Sequence, residues 1–417
     1  MIRRNGQHNR GVIFVAALIL LAGMSVVIIA LANEVTLDLK MATAHIDADQ
    51  ALEIAKVGID KFIYAVNNDP NWRTTYTSGT KYGPFALGDG EFYVTITDED
   101  GDLTDSLIDS VTVMSVATYK GSTRTVSAVL APPVHDAMMY AAVMWDSGKK
   151  IEIKDGPRIY GDLMSDGDVD VNGALPDFRG DVYCRDASKV HGGLDDADTD
   201  VFEIWPTPTN PTPDADWFVS RGSAMSPPES GGTLRVIDKR IAPDTNPYGF
   251  SNTNGIYTID ANGKDVEFRR CYIEATIVIT RADKVFFEDG IVHSPALSSY
   301  PALVVIGKDS SKGTVTYDLD MNLSESTSHV DFNGNGNTTD VFAPSVSGVV
   351  YATRKIEALQ IDGDEKTVRF KGVMVSQEIR LMGAGNIIEQ DPALSTNLVE
   401  QFQGDGMKLV KGSVKIE

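Results

Sequence analysis

The N-terminal part of the chain carries one continuous apolar pattern. Residues 12–32 contain no charged side chain, and a short basic leader that includes Arg3, Arg4 and Arg10 precedes them. At ~1.5 Å of rise per residue, such a run forms a helix of ~30 Å, the thickness of a bilayer's hydrocarbon core. The pattern predicts a leader over residues 1–11 and a membrane-spanning helix over residues 12–33.

The helical pattern continues beyond the apolar run. Residues 34–66 contain no proline, and apolar or small residues recur there at alternating four- and three-residue steps, which predicts a long amphipathic helix. This seam consists of Leu37, Met41, Ala44, Ala48, Ala51, Ala55, Gly58 and Phe62. Small residues in the seam let another backbone approach closely, either in a partner or in the same chain. Leu52, Ile59 and Val66 form a neighbouring stripe that we expect to lie on the sheet that follows.

After the predicted helix, apolar and polar residues alternate with a period of two, as in a β-strand. Residues 91–97 alternate between apolar and polar side chains, and residues 110–117 and 123–130 do so on either side of a tight turn. A proline pair at 132–133 ends this region. Residues 34–131 are therefore predicted to form a helix and a small antiparallel sheet.

The remaining two thirds of the chain have a different character. Short β-branched segments, separated by Gly, Asp and Asn, fill residues 132–417 without a strong helical pattern. This spacing favours a β-solenoid, in which each coil buries its inward side chains on the next. We predict an α+β chain whose mainly-β C-terminal domain is a right-handed parallel β-helix; a β-sandwich is the alternative. A proline-rich stretch over residues 202–255 is interpreted as a long surface insertion.

Composition and charge narrow the classes of function. A chain of 417 residues with 42% hydrophobic and 23% charged residues can bury a substantial core and hold two or more structural units. The net charge of −22 argues against nucleic-acid binding, which requires a basic face. Cys184 and Cys271 could form one disulfide in an oxidising compartment or lie apart as buried thiols, and their spacing does not decide between these.

One loop carries the residue types of a calcium site. Its oxygen-bearing side chains are Asp331, Asn333, Asn335, Asn337 and Asp340. Alternate side chains around a glycine-rich turn can converge on one hard cation, and the loop resembles the DxNxDG calcium loops of dockerin-like proteins. The asparagines are neutral, and Phe342 stands where such loops often place a bidentate glutamate, so we expect weak binding with Kd of ~10⁻⁴–10⁻³ M. A polar Asn-Gly loop without metal is the alternative.

Other chemistry has less support in the sequence. Asp98, Asp100 and Asp102 alternate in a similar way, but an Asp-Gly pair is also a common hairpin turn. The histidines are scattered, and the sequence contains neither a Gly-x-Ser-x-Gly elbow nor a phosphate-binding glycine loop. We therefore predict a protein without enzymatic activity. Paired acids that cleave polysaccharide remain an alternative, because their separation is a property of the fold.

Several segments resemble proteins of the type IV pilin-like family. Residues 10–18 resemble the prepilin cleavage segment, and residues 49–59 resemble the QALxxAxxGI helix of PilX-type and general-secretion K-type minor pilins. Residues 92–102 and 122–126 resemble the β segments that follow in those proteins. The resemblance covers the first third of the chain. It implies a pilin-like headpiece and a filament whose subunits pack through their N-terminal helices.

The resemblance also assigns roles to individual residues. In that family a dedicated peptidase cuts after the glycine that follows a basic residue, which here is Arg10, so the cut would lie between Gly11 and Val12. Most major pilins have glutamate at the fifth mature position, where it pairs with a neighbour's N-terminal amine; here that position is Ala16. An unpaired amine in lipid is costly, so the substitution implies a tip or low-copy subunit.

Two other interpretations of the N-terminus remain open. Ala30 and Ala32 offer a small-x-small site to a secretory signal peptidase, although the apolar run exceeds the usual ~7–15-residue core of such signals. A plain single-span anchor with a cytoplasmic leader is the other. All three interpretations place the rest of the chain outside the cytoplasm.

The expected function is therefore that of a structural subunit in a type IV pilus or a type II secretion-like filament. Its expected partners are other pilin or pseudopilin subunits, and before assembly the inner membrane. The β domain would serve adhesion or assembly, with a surface ligand or polysaccharide as its target. The alternative function is a membrane-anchored β-helix protein that binds or cleaves polysaccharide.

Overall fold

The computed structural model describes residues 8–194, 199–204, 210–359 and 367–417; residues 1–7 of the predicted leader and 205–209 of the predicted insertion lie outside them. The chain divides into two compact units. The headpiece comprises Met1–Asp105, Asp109–Ala131 and Gly406–Glu417. The solenoid comprises Ser106–Ile108 and Pro132–Asp405.

One helix of 61 residues, His8–Asn68, confirms the predicted continuous helix. At ~1.5 Å per residue it is ~90 Å long. Among the described residues it is the one helix long and apolar enough to cross a membrane, with a mean hydropathy of 3.1 in its most apolar window. Its C-terminal part packs on the headpiece sheet through buried side chains that include Ile54, Ile59 and Phe62. A short helix, Trp72–Thr75, follows it.

The headpiece sheet is antiparallel. Its first four strands, paired in sequence order, are Lys81–Leu87, Gly90–Thr97, Val111–Tyr119 and Ser122–Ala131. Val111, Val113 and Ala117 are fully buried on alternate positions, as the period-two pattern requires. The last three strands confirm the predicted ones. The first strand was not predicted, since its side chains are mostly exposed and do not alternate.

The end of the chain returns to the headpiece. Strands Lys408–Leu409 and Lys415–Ile416 pair antiparallel with Ser122–Ala131. Asn67 at the end of the long helix accepts the N–H of Met407 at 2.7 Å. The predicted C-terminal domain over residues 132–417 is therefore too long by its last twelve residues. In topology the solenoid is an insertion into the headpiece sheet.

The solenoid stacks parallel strands in three ladders, as predicted for a β-helix rather than a sandwich. The first ladder contains Thr233–Ile241, Asp265–Glu274, Lys284–Ser294, Thr314–Asp318, Lys355–Leu359, Ile379–Met382, Lys150–Lys154, Asp168–Asn172 and Val190–His191. The second contains Ser223–Ala224, Ile256–Asp260, Thr276–Ala282, Leu303–Gly307, Ser345–Ala352, Val368–Ser376, Ala142–Met144, Leu163–Ser165, Val182–Cys184 and Val201–Glu203. In the third ladder, residues 292–293, 345–346 and 369–371 of the long strands pair in turn. The ladder continues through Asn386–Glu389, Arg158–Tyr160 and Asp177–Arg179.

The order of the coils along the stack differs from their order along the chain. Ala142–Met144 lies between Leu163–Ser165 and Val368–Ser376 in the second ladder. The coils of residues 142–203 therefore form one end of the stack, and those of residues 223–389 begin at the other end and wind back to meet them. The chain thus enters and leaves the solenoid at the middle of the stack.

The predicted insertion over residues 202–255 is only partly an insertion. Thr233–Ile241 pairs in parallel with Asp265–Glu274 and forms the end coil of the first ladder. The connection between the two ends of the stack contains the helix Ala215–Arg221, whose Phe218 is fully buried. The sequence pattern did not predict the strand Thr233–Ile241, because the prolines before residue 229 dominate the composition of this stretch.

Two apolar layers hold the solenoid together. Inside, Phe268, Phe287 and Tyr317 stack on successive coils, with ring centroids 4.9 and 4.8 Å apart. Outside the second ladder, a further apolar cluster that includes Val278 and Phe402 is also buried. Strands of that ladder are consequently buried on both faces and lose the alternation that marks a half-exposed strand.

Candidate functional site

From Val12 to Ile46, the long helix is not covered by any other described part of the chain. Every side chain from Val12 to Ile46 is exposed, including the apolar Leu37 and Met41, which are each 60% exposed. Lipid can cover the part within a membrane, but residues beyond its ~30 Å apolar core need another apolar surface. The helix thus presents an exposed apolar surface directly beyond its bilayer-length apolar run.

The predicted seam divides at Ala48. Leu37, Met41 and Ala44 are exposed, whereas the later seam positions are buried on the sheet; these are Ala48, Ala51, Ala55, Gly58 and Phe62. A Cβ on Gly58 would lie 2.1 Å from Ser115 Oγ, so the helix backbone approaches the sheet as closely as glycine allows. Packing within the chain is confirmed for the second half of the seam; a partner helix for the first half stays a prediction.

Ala16 lies on the exposed part of the helix, within the charge-free apolar run of residues 12–32. The first carboxylate along the described helix is Glu34, about 27 Å further along the axis. No carboxylate of this helix could therefore reach a neighbour's amine at the depth of Ala16. Cleavage after Gly11, which follows Arg10 and precedes Val12, stays a prediction.

The predicted calcium loop projects from the solenoid between the antiparallel strands Leu323–Ser324 and Val341–Phe342. Asp331 lies at its centre: Oδ1 accepts the N–H of Gly334 and Oδ2 that of Gly336, each at 2.7 Å. Asp331 Oδ1 also accepts the N–H of Asn335 at 3.2 Å. The backbone is therefore wound around one carboxylate.

The other predicted ligands converge on Asp340. Asn333 and Asn335 donate their Nδ2 to Asp340 Oδ2 at 2.8 and 2.7 Å, and Asn337 donates to Oδ1 at 3.3 Å. The structure thus brings the three asparagines together at Asp340, while Asp331 organises the backbone of the same loop. The Oδ1 atoms of Asn333, Asn335 and Asn337 accept the backbone N–H groups of Asn335, Asn337 and Thr339 at 3.0, 2.7 and 3.1 Å. An asparagine oxygen could therefore coordinate a cation beside Asp340 only if its amide gave up that hydrogen bond.

Glu325 supports this loop and was missed by sequence reasoning. It is fully buried, and its carboxylate accepts the N–H of Phe332 at 2.7 Å and the N–H of Asp340 at 3.1 Å. One side chain therefore holds both ends of the loop. Nothing in the surrounding serine-rich sequence distinguishes Glu325 from a surface glutamate.

A second group of carboxylates lies in the headpiece, after the strand Gly90–Thr97. One oxygen from each of Asp98, Asp100 and Asp105 lies within 4.8 Å of the others. Asp98 is 5% exposed, and no hydrogen-bond donor among the described residues reaches its Oδ2. Burial raises the pKa of Asp98, and the charges of Asp109 and Asp100 raise it further.

This group differs from the predicted triplet in one member. Asp102 lies in the same loop, but its Oδ1 accepts the N–H of Thr104 at 2.9 Å and the hydroxyl at 2.8 Å. Asp105 joins Asp98 and Asp100 instead. The alternating spacing therefore identified the loop, while the path of its backbone selected the third carboxylate.

Both cysteines are free and buried. Cys184 Sγ lies 3.7 Å from the carbonyl oxygen of Phe202, and Cys271 Sγ lies 3.3 Å from that of Val236. Burial raises the pKa of Cys271 to about 12. Of the two alternatives that the sequence left open, the structure contains the separate buried thiols and no disulfide between Cys184 and Cys271.

The most buried histidine is a core residue. His293 is 1% exposed, and its Nε2 lies 3.2 Å from the carbonyl oxygen of Ala275. Burial lowers the pKa of His293 to about 4, so the ring is neutral at physiological pH. It packs beside Phe287, with ring centroids 5.8 Å apart. Its environment is that of a packing residue.

Three chains of solved structures match this chain. No family model and no curated protein matches the chain. The crystal structure of the competence-associated pilin ComZ from Thermus thermophilus is similar with a TM-score of 0.36 and 14% sequence identity, and the alignment covers 89% of this chain and 98% of that one. At that TM-score the superposition does not by itself establish a common fold.

Proposed function

We propose that this chain is a structural, non-catalytic minor subunit of a pilin-type filament, either a type IV pilus or a type II secretion-like filament, and that it displays the solenoid outside the cell. The observation that carries this proposal is the long helix. One continuous element contains a bilayer-length apolar stretch and then an uncovered apolar surface, before it packs on the headpiece.

The surface beyond the membrane separates a filament subunit from a plain anchor. Leu37, Leu39, Met41 and Ile46 are each at least 60% exposed and lie after the apolar run of residues 12–32. Water would solvate these side chains poorly, and burial contributes roughly 25 cal/mol per Å² of apolar surface. Neighbouring helices in a filament core would cover them, whereas a single-span anchor offers nothing to do so.

The subunit should occur at filament ends. Because Ala16 replaces the glutamate that pairs with the next subunit's amine, this chain should not be repeated along a shaft. Immunogold labelling of the solenoid on isolated filaments is expected to mark one end or rare sites, and an antibody against the major subunit serves as the control for access along the shaft. Labelling by the solenoid antibody at regular intervals along the whole shaft would contradict the proposal.

We also propose that the loop of residues 331–340 binds Ca²⁺. The support is the convergence of three asparagine side chains on Asp340 and the winding of the backbone around Asp331. A ligand that binds only the folded state stabilises it by RT ln(1 + [L]/Kd), which is ~1.4 kcal/mol at ten times Kd. We therefore expect millimolar Ca²⁺ to raise the melting temperature of the full chain in detergent by about 3 °C.

The double variant Asp331→Asn, Asp340→Asn should remove this response. Asparagine keeps only one acceptor oxygen, whereas both oxygens of Asp331 and of Asp340 accept hydrogen bonds, so the calcium-free melting temperature should also fall. The response to calcium is therefore measured from each variant's own calcium-free value. The matched control is Asp186→Asn, Asp309→Asn, which alters two exposed aspartates that accept hydrogen bonds from Ser188 and Ser311 in ordinary turns. If the loop variant and this control respond alike to calcium and to chelator, the loop is a polar turn.

A further inference from the structure

We propose that Asp98, Asp100 and Asp105 form a second, separate site for a hard divalent cation such as Ca²⁺, in the headpiece. The site depends neither on the filament role nor on the loop of residues 331–340. It would tie the segment after the strand Gly90–Thr97 to the headpiece core. At the calcium concentrations outside cells, a weak site of this kind would be filled only after export.

The first observation is the separation of the oxygens. Calcium ligands lie 2.3–2.6 Å from the ion, so two ligands of one ion can be at most about 5 Å apart. One oxygen from each of Asp98, Asp100 and Asp105 meets this limit, since all lie within 4.8 Å of one another. Three carboxylates at this distance repel each other unless a cation or protons lie among them.

The second observation is the state of Asp98. Its Oδ1 accepts the N–H of Glu99 at 2.8 Å, whereas Oδ2 is buried and has no donor within the described part of the chain. Exposed acidic clusters are satisfied by water, but this side chain is 5% exposed. A buried carboxylate is strongly unfavourable unless it is paired or coordinates a metal. Asp98 therefore distinguishes this cluster from a solvated acidic loop.

One cation of the chain, Arg73, lies near the cluster. Arg73 is 7% exposed and donates to the carbonyl oxygens of Leu103 at 3.1 Å and Asp109 at 2.8 Å. The charge of Arg73 acts on Asp98 against those of Asp100 and Asp109. When ionised, the three carboxylates of the cluster carry three negative charges, so one guanidinium and one divalent cation together would balance them.

The test uses the full chain in detergent with the solenoid loop inactivated by Asp331→Asn and Asp340→Asn. In this background we expect isothermal titration with Ca²⁺ to show one site per chain and the melting temperature to rise by about 3 °C. Adding Asp98→Asn should abolish both signals and raise the calcium-free melting temperature, because it replaces an unpaired buried charge with a neutral side chain.

Two further variants keep the result interpretable. Asp100→Asn changes an exposed member of the cluster, so folding should be unaffected, and it should weaken calcium binding by at least tenfold. Asp102→Asn is the matched control, since this exposed residue lies in the same loop and its turn with Thr104 needs only one oxygen acceptor. It should bind calcium as the background does.

Other results would overturn the site. Absence of calcium binding in the background, or undiminished binding after Asp98→Asn, would show that this cluster holds no cation. A fall in the calcium-free melting temperature after Asp98→Asn, with no change in the binding heat, would identify Asp98 as a structural partner of Arg73 instead.

Discussion

Gly11→Val is expected to leave the full-length chain in the membrane as an uncleaved precursor that is absent from filaments. In the wild type, the mature chain should begin at Val12. The glycine before the cut has no Cβ, so a peptidase can approach the scissile bond closely, and a β-branched residue would block that approach. Without cleavage the basic leader stays attached, and a charged leader cannot follow the helix into an apolar filament core. The effect should be nearly complete.

N-terminal sequencing or intact mass of the purified protein, together with blotting of sheared filaments, measures both consequences. Gly23→Val is the matched control: it makes the same substitution in the same helix, where a Cβ meets no atom within 4 Å. This control should be cleaved like the wild type. A mature terminus at Asn33 would reveal an ordinary secretory signal cut after Ala32 and would refute the filament subunit.

Gly372→Ala should be the most destabilising single-methyl change in the solenoid. Gly372 lies opposite Gly348 in the pair Ser345–Ala352 and Val368–Ser376, where both strands turn a corner between two ladders. Its φ is +152°, and a Cβ would lie 2.0 Å from the carbonyl oxygen of Gly348. Overpacking costs about 1–3 kcal/mol. A sparsely populated backbone conformation adds a cost of the same order.

The expected result is a fall of roughly 5–15 °C in the melting temperature, measured by far-ultraviolet circular dichroism of the full chain in detergent. Gly231→Ala is the control, since Gly231 also has positive φ, +64°, but a Cβ there meets nothing within 4 Å. It isolates the backbone cost, which should lower the melting temperature by only about 3 °C. Equal melting temperatures for the two variants would contradict close contact between these coils.

Local chemistry determined the elements of this protein. The charge-free run at residues 12–32 and the proline-free stretch after it specify a helix, because the spacing of apolar side chains and the absence of breakers act within a few turns. The strands Gly90–Thr97 and Lys150–Lys154 follow in the same way from alternation of period two. The convergence of polar side chains within residues 331–340 could likewise be predicted, since all its members lie in one loop.

Long-range contacts determined how these elements pair and pack. Residues 408–416 join the headpiece sheet, and the last coils stack on the first. The sequence does not reveal these pairings, because the backbone groups that form hydrogen bonds between strands are the same in every strand. The contacts of Glu325 with the loop of residues 331–340, and of Asp105 with Asp98 and Asp100, could not be predicted either, because the path of the intervening backbone depends on tertiary packing. Periodicity along a chain specifies which face of an element is apolar; only the folded structure specifies what that face meets.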